Sequence, residues 1–136
     1  RELIDHKTWL EYYQKEIAFY FSKLGRRTIE TIFFGGGTPS LMEPQTVRGI
    51  LGALADHTVI AKDAEITLEA NPTSVEAEKF AAFREAGVNR VSLGIQSLTP
   101  ENLKFLGREH SASEARAAVG IAQKYFDNVS VDFIYA

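Results

Sequence analysis

The stretch Arg90–Ser97, RVSLGIQS, divides cleanly by parity. Val91, Leu93 and Ile95 fall on one side of an extended chain, and Ser92, Gly94 and Gln96 on the other, because successive strand side chains point to opposite faces. EITLEA (65–70) divides likewise, with Ile66 and Leu68 against Thr67 and Glu69. In NVSVDFIY (128–135), Val129, Val131 and Phe133 oppose Ser130 and Asp132. Strands of a parallel sheet are usually apolar on both faces, since helices or a packed lumen cover each side. Here one face is repeatedly small and polar. This predicts a barrel with an open, wet lumen lined by Thr67, Glu69, Ser92, Gln96, Ser130 and Asp132. The alternative is an antiparallel sheet with one solvated face, which the intervening helical patterns disfavour.

Working outward, helical periodicity alternates with the strand-like runs. A first helix is expected from about Thr8 to Leu24: Thr8 and Glu11 have capping-box spacing, Tyr13, Ile17, Phe21 and Leu24 form an apolar stripe, and Gly25 ends it. The aromatic clusters YY (12–13) and FYF (19–21) are expected to be core residues of that helix. A strand follows at about Thr31–Phe34. Pro44 suits a first helical position, and Val47, Ile50, Leu51 and Leu54 share a face. Thr73 with Glu76 and Ser111 with Glu114 repeat the capping box, Phe80 and Phe83 should face inward, and Thr99-Pro100 starts a short helix ending near Gly107. Strand–helix alternation at this spacing predicts an α/β chain of parallel strands with outer helices, either a barrel or a doubly wound sheet. Both place ligands at the C-terminal strand ends.

The chain has 136 residues, 45% of them apolar and 24% charged, with a net charge of −3. These are ordinary values for a soluble domain, and the charge offers no basic surplus for a nucleic acid. No apolar run has the roughly 18 residues of a membrane span, and no signal peptide is visible, so a cytoplasmic location is expected. Cysteine is absent; disulfides and thiolate metal sites are excluded within these residues. The first residue is not Met, and VDFIYA (131–136) ends inside a strand pattern; the expectation is a single incomplete domain over 1–136.

Three glycines follow the first strand in FFGGGTPS (33–40). A P-loop needs a Gly-Lys-Ser/Thr ending, and no lysine follows. The dinucleotide fingerprint requires glycine where Ser40 stands. What remains is a loop without Cβ atoms, whose backbone groups can meet an ammonium or a carboxylate. A plain turn would need fewer glycines. Glu69, Gln96 and Asp132 occupy the ends of three further strands, and Arg108 in LGREH (106–110) has a fork suited to a carboxylate. Singly, each has a bland alternative: an inter-strand ion pair for Glu69, a core hydrogen bond for Gln96, an exposed helix-end arginine. A structural role is expected for His110, and His6 and His57 carry no signal.

TIFFGGGTPSLM, EITLEANP, GVNRVSLGIQSL, LGREH and VSVDFIYA together resemble the radical S-adenosylmethionine proteins related to oxygen-independent coproporphyrinogen III oxidase, in register from residue 28 onward. The resemblance implies a partial (β/α)6 TIM-like barrel, of which this chain would hold strands two to five. It implies that Gly36, Gly37 and Thr38 meet the methionyl end of S-adenosylmethionine. Glu69, Gln96, Arg108 and Asp132 would surround its nucleoside and amino-acid parts. No catalytic residue and no metal ligand of this chain follows from it. The family's C-x-x-x-C-x-x-C loop, which holds a [4Fe-4S] cluster, has no counterpart here, so these residues alone would be inactive.

The family has two branches. The oxidase, which decarboxylates porphyrinogen propionates in heme biosynthesis through a 5′-deoxyadenosyl radical, typically carries D-P-R and Q-D-F where this chain has Asn71-Pro72-Thr73 and Gln96-Ser97-Leu98. EANP, IQS and LGREH resemble the branch of heme chaperones. The implied full-length protein binds heme or a porphyrinogen, a [4Fe-4S] cluster and S-adenosylmethionine, and passes heme to an acceptor protein. Whether it is an enzyme stays open between the branches. Outside the family, a generic βα domain with a turn loop is the remaining alternative.

Overall fold

The computed structural model describes residues 4–135, apart from the side chains of residues 74 and 75. The order is α1 (His6–Leu24), β1 (Thr28–Phe34), α2 (Pro44–His57), β2 (Val59–Ala70), α3 (Ser74–Ala77), α4 (Phe80–Ala86), β3 (Arg90–Gln96), α5 (Pro100–Phe105), α6 (Ala112–Tyr125) and β4 (Asn128–Phe133), with a 3₁₀ turn at Pro39–Leu41. All strand pairs are parallel, and the strands lie side by side in sequence order. A doubly wound sheet reverses its strand order at a switch point; this sheet does not. It has the sequential arrangement of a (β/α) barrel.

The apolar parity of the strands faces the helices. Leu68, Val91, Leu93, Phe80, Phe83, Val88 and Val47 are fully buried there. Phe80 meets Phe126 edge-on, with ring centroids 5.8 Å apart. Helix α2 presents Val47, Ile50 and Leu51 as expected, and Pro44 stands in its first turn. Gly87 caps α4 at φ +116°. Ser111 and Glu114 form the full capping box of α6.

Several local expectations need correction. Asp5, not Thr8, caps α1: its carboxylate accepts from the Thr8 backbone N–H at 3.0 Å and from the Thr8 hydroxyl at 2.7 Å. A short acceptor before the first turn wins over the Thr8–Glu11 pair because Thr8 is already helical. None of the α1 residues is buried. Tyr12 is 63% exposed, Phe19 53% and Tyr20 52%, so the aromatic clusters are not core; among the helices α1 packs chiefly on α2. The helix expected after Thr73 is broken into α3 and α4. Strand β2 begins at Val59, six residues before EITLEA.

The lumen differs in a more consequential way. Thr67 is 1% and Ser92 6% exposed, so the lower half of the polar face is packed rather than wet. Arg90 fills it. Its guanidinium donates to Thr67 Oγ1 at 3.1 Å and to Ser130 Oγ at 2.9 Å, and lies 3.7 Å from Glu65. A long cationic side chain thus satisfies hydroxyls that water was expected to serve. Ser130 stays half-buried, and Glu65 at the lower end and Asp132 on the upper rim are exposed.

Candidate functional site

The rim is assembled from four strand ends and one loop. After β1, Gly36 and Gly37 take φ of +83° and +55°, a region that glycine enters without steric cost. Gly35 has a different requirement: a Cβ there would lie 2.8 Å from the Phe33 ring and 3.3 Å from Glu69 Oε2. The three consecutive glycines therefore answer two requirements. The turn aims the Gly36 N–H at Glu69 Oε2, 3.2 Å away at the end of β2.

On β3, Gly94 leaves room for two side chains; an added Cβ would come within 3.2 Å of Gln96 Nε2 and 3.5 Å of Arg108 Nη2. Gln96 itself has φ +66°, and the β3–β4 register shifts next to it. Asp132 on β4 accepts from Ser92 Oγ at 2.9 Å, and Ser92 accepts from Ser130 Oγ at 2.9 Å. With Arg90 donating to Ser130, every hydrogen bond in this file runs from the half-buried cation towards the rim carboxylate.

Arg108 stands between α5 and α6. Its Nη2 donates to Asn71 Oδ1 at 2.7 Å and to the Gly94 carbonyl at 3.0 Å. Nε and Nη1 have no acceptor among the described residues, which leaves one edge of the fork for a ligand. His110, buried, bonds through Nε2 to the Ile95 carbonyl at 3.0 Å; it pins the loop that carries Arg108, in the structural role expected.

Gly37, Thr38, Glu69, Gln96, Arg108 and Asp132 line one cavity of about 170 Å³. Gly36 joins them through its bond to Glu69. A second cavity of about 400 Å³ adjoins it at Thr38, Asn71 and Arg108. Together they are in the range of about 300–1,000 Å³ usual for small-molecule sites. All seven residues singled out from the sequence thus converge on one place. Those missed are Arg90, Ser40, Asn71 and Glu76. Arg90 had a signal, since it shares the parity of Ser92 and Gln96. Glu76 had none, because its capping-box spacing with Thr73 accounted for it.

The family profile described as the Radical SAM superfamily matches residues 5–136. The chain belongs to the radical SAM superfamily. Within it, a protein named radical S-adenosyl methionine domain-containing protein 1, mitochondrial, from Bos taurus is 50% identical over 111 residues, covering 81% of this chain and 25% of that one. The heme chaperone HemW of Buchnera aphidicola is 33% identical over 135 residues, covering 99% and 36% respectively. Among solved structures, the Escherichia coli coproporphyrinogen III oxidase HemN, a radical SAM enzyme, matches with a TM-score of 0.86 at 26% identity, over 99% of this chain and 31% of that one. The chain spans between a quarter and a little over a third of the length of these relatives.

Membership implies S-adenosylmethionine and a [4Fe-4S] cluster. The rim fits the first: acceptors at Glu69 and Asp132, a half-free guanidinium at Arg108, and a Cβ-free backbone between them suit an ammonium, a diol and a carboxylate. The cluster is not served by these residues. The chain has no cysteine, and no group of three or more His, Asp or Glu among the described residues is placed to hold a metal. No described helix is long and apolar enough to cross a membrane.

Proposed function

We propose that this chain is the S-adenosylmethionine-binding part of a heme chaperone of the radical SAM superfamily, its four strands being strands two to five of a partial (β/α)6 barrel. The observation that carries the binding site is the convergence of Gly36, Gly37, Thr38, Glu69, Gln96, Arg108 and Asp132 on one cavity rim. Glu69 and the glycine-loop backbone hold the ammonium, Arg108 the carboxylate, and Gln96 with Asp132 the ribose diol. When bound with its cluster, S-adenosylmethionine supplies one-electron chemistry; these residues orient it and shield it from water.

Heme binding by the whole protein is supported by the HemW relatives, of which that of Escherichia coli is 48% identical over 96 residues, and by the EANP, IQS and LGREH motifs. A cytoplasmic location and a heme-acceptor protein belong to the same proposal. The second reading, a porphyrinogen-decarboxylating oxidase, is favoured by the TM-score of 0.86 with HemN. Heme titration and a decarboxylation assay on the full-length protein separate them. Tight heme binding without turnover is the expected result; turnover of coproporphyrinogen III overturns it.

A further inference from the structure

Glu76 is 7% exposed and borders the second cavity, but it is not among the seven residues that converge on the rim. Its carboxylate nevertheless ties two pieces of the rim, the Ser40 turn and Asn71, to each other. Oε2 accepts from the hydroxyl of Ser40, which is fully buried next to the glycine loop, and from the Asn71 backbone N–H at 2.7 Å. Oε1 accepts from Asn71 Nδ2 at 3.2 Å. The Asn71 amide is thereby oriented. With its NH₂ turned to a carboxylate, its oxygen faces the other way, to Arg108 Nη2 at 2.7 Å. A carboxylate can only accept and an arginine can only donate, and an amide between them fits in one orientation.

We propose that Glu76 is a positioning residue which, through Asn71, sets the guanidinium of Arg108 to receive the ligand's carboxylate and ties that setting to the glycine loop through Ser40. The inference rests on the S-adenosylmethionine reading of the rim and adds a determinant of its specificity for the amino-acid end. Glu76→Gln tests the polarity of the chain. The new amide must turn its NH₂ towards one of the donors it now accepts from. If it faces Asn71 Nδ2, the Asn71 amide inverts and presents NH₂ to Arg108.

The full-length protein is titrated with S-adenosylmethionine and with 5′-methylthioadenosine, which keeps the nucleoside but lacks the carboxylate. Glu76→Gln should weaken the first by about tenfold, the scale of one hydrogen bond to a charged group, and leave the second within twofold. In an Arg108→Ala background the same substitution should have no further effect on S-adenosylmethionine. Should Glu76→Gln fail to fold, Asn71→Ala makes the same comparison; it removes the amide and keeps the backbone N–H that Glu76 uses. Equal losses for both ligands, or additive losses with Arg108→Ala, show a merely structural role and overturn the inference. If Arg108→Ala itself leaves S-adenosylmethionine affinity unchanged, the reading of the rim falls, and this inference with it.

Discussion

Gln96 holds φ at +66°, alone among the described non-glycine residues. A side chain there clashes with its own carbonyl, at a cost of about 1–2 kcal/mol, and such conformations persist where the surroundings over-determine them. Neighbouring structure does so here: the Gln96 carbonyl accepts from the Ile134 N–H at 2.9 Å. Its side chain has no hydrogen-bond partner among the described residues, so the strain places an amide at the rim without tying it down. Gln96→Gly should therefore keep or raise the melting temperature while S-adenosylmethionine affinity falls. A melt and a titration of the same variant check this, and an unaltered affinity removes Gln96 from the site. Among the described residues the Glu69 carboxylate makes a single hydrogen bond, from the Gly36 N–H, and the residue is half-buried. Glu69→Ala in the full-length protein should reduce that affinity about tenfold or more with an unchanged circular dichroism spectrum; unchanged affinity assigns Glu69 to structure.

At the scale of the element, the two helices with side-chain N-caps respond to acid. The Glu114 carboxyl is held below its ordinary value of 4.5 by the Ser111 backbone N–H and hydroxyl, and Asp5 below 3.8 by the Thr8 backbone and side chain. A depressed folded value means stability that is complete above the ordinary value and lost as pH falls through the folded one. The starts of α1 and α6 should fray first below about pH 4, read as rising amide exchange in their first turns. Ser111→Ala should cost about 1 kcal/mol at neutral pH and weaken, without abolishing, that acid response in α6, because the backbone N–H of residue 111 still donates to Glu114. The broken α3–α4 segment shows the opposite case. Thr73 Oγ1 receives only a long bond of 3.4 Å from the Glu76 N–H. The Glu76 carboxylate has turned to Asn71 and Ser40 instead of back to the cap.

For the whole molecule, one apolar core cluster joins the helices to the sheet whose strand ends carry the rim. Phe80 lies fully buried against Phe126. Truncation of Phe80 to Ala should cost about 3–5 kcal/mol, much of the roughly 5–15 kcal/mol available to a domain. A fall of the melting temperature by less than a few degrees would show that the α4–α6 packing is not the keystone. The lower lumen contributes differently. Arg90 satisfies Thr67 and Ser130, and no buried side-chain polar atom among the described residues lacks a partner. That polar layer lies beneath the rim residues Glu69, Gln96 and Asp132.

Much of this was legible in the chain. Period-two alternation set the strand faces, and Pro, Gly and Ser/Thr punctuation set most helix ends, because these depend on neighbours within a few residues. The rim residues were legible too, since a strand's C-terminal end in a βα unit is a sequence position. Three things were decided only by the tertiary fold. Arg90 closed the lower lumen because a residue 23 positions from Thr67 and 40 from Ser130 lies between them only in the assembled sheet. The α1 aromatics remained exposed because periodicity marks an apolar stripe but not whether a second layer covers it. Glu76 left its helix cap for Ser40, 36 residues away, because a buried carboxylate takes the arrangement that gives it the most donors.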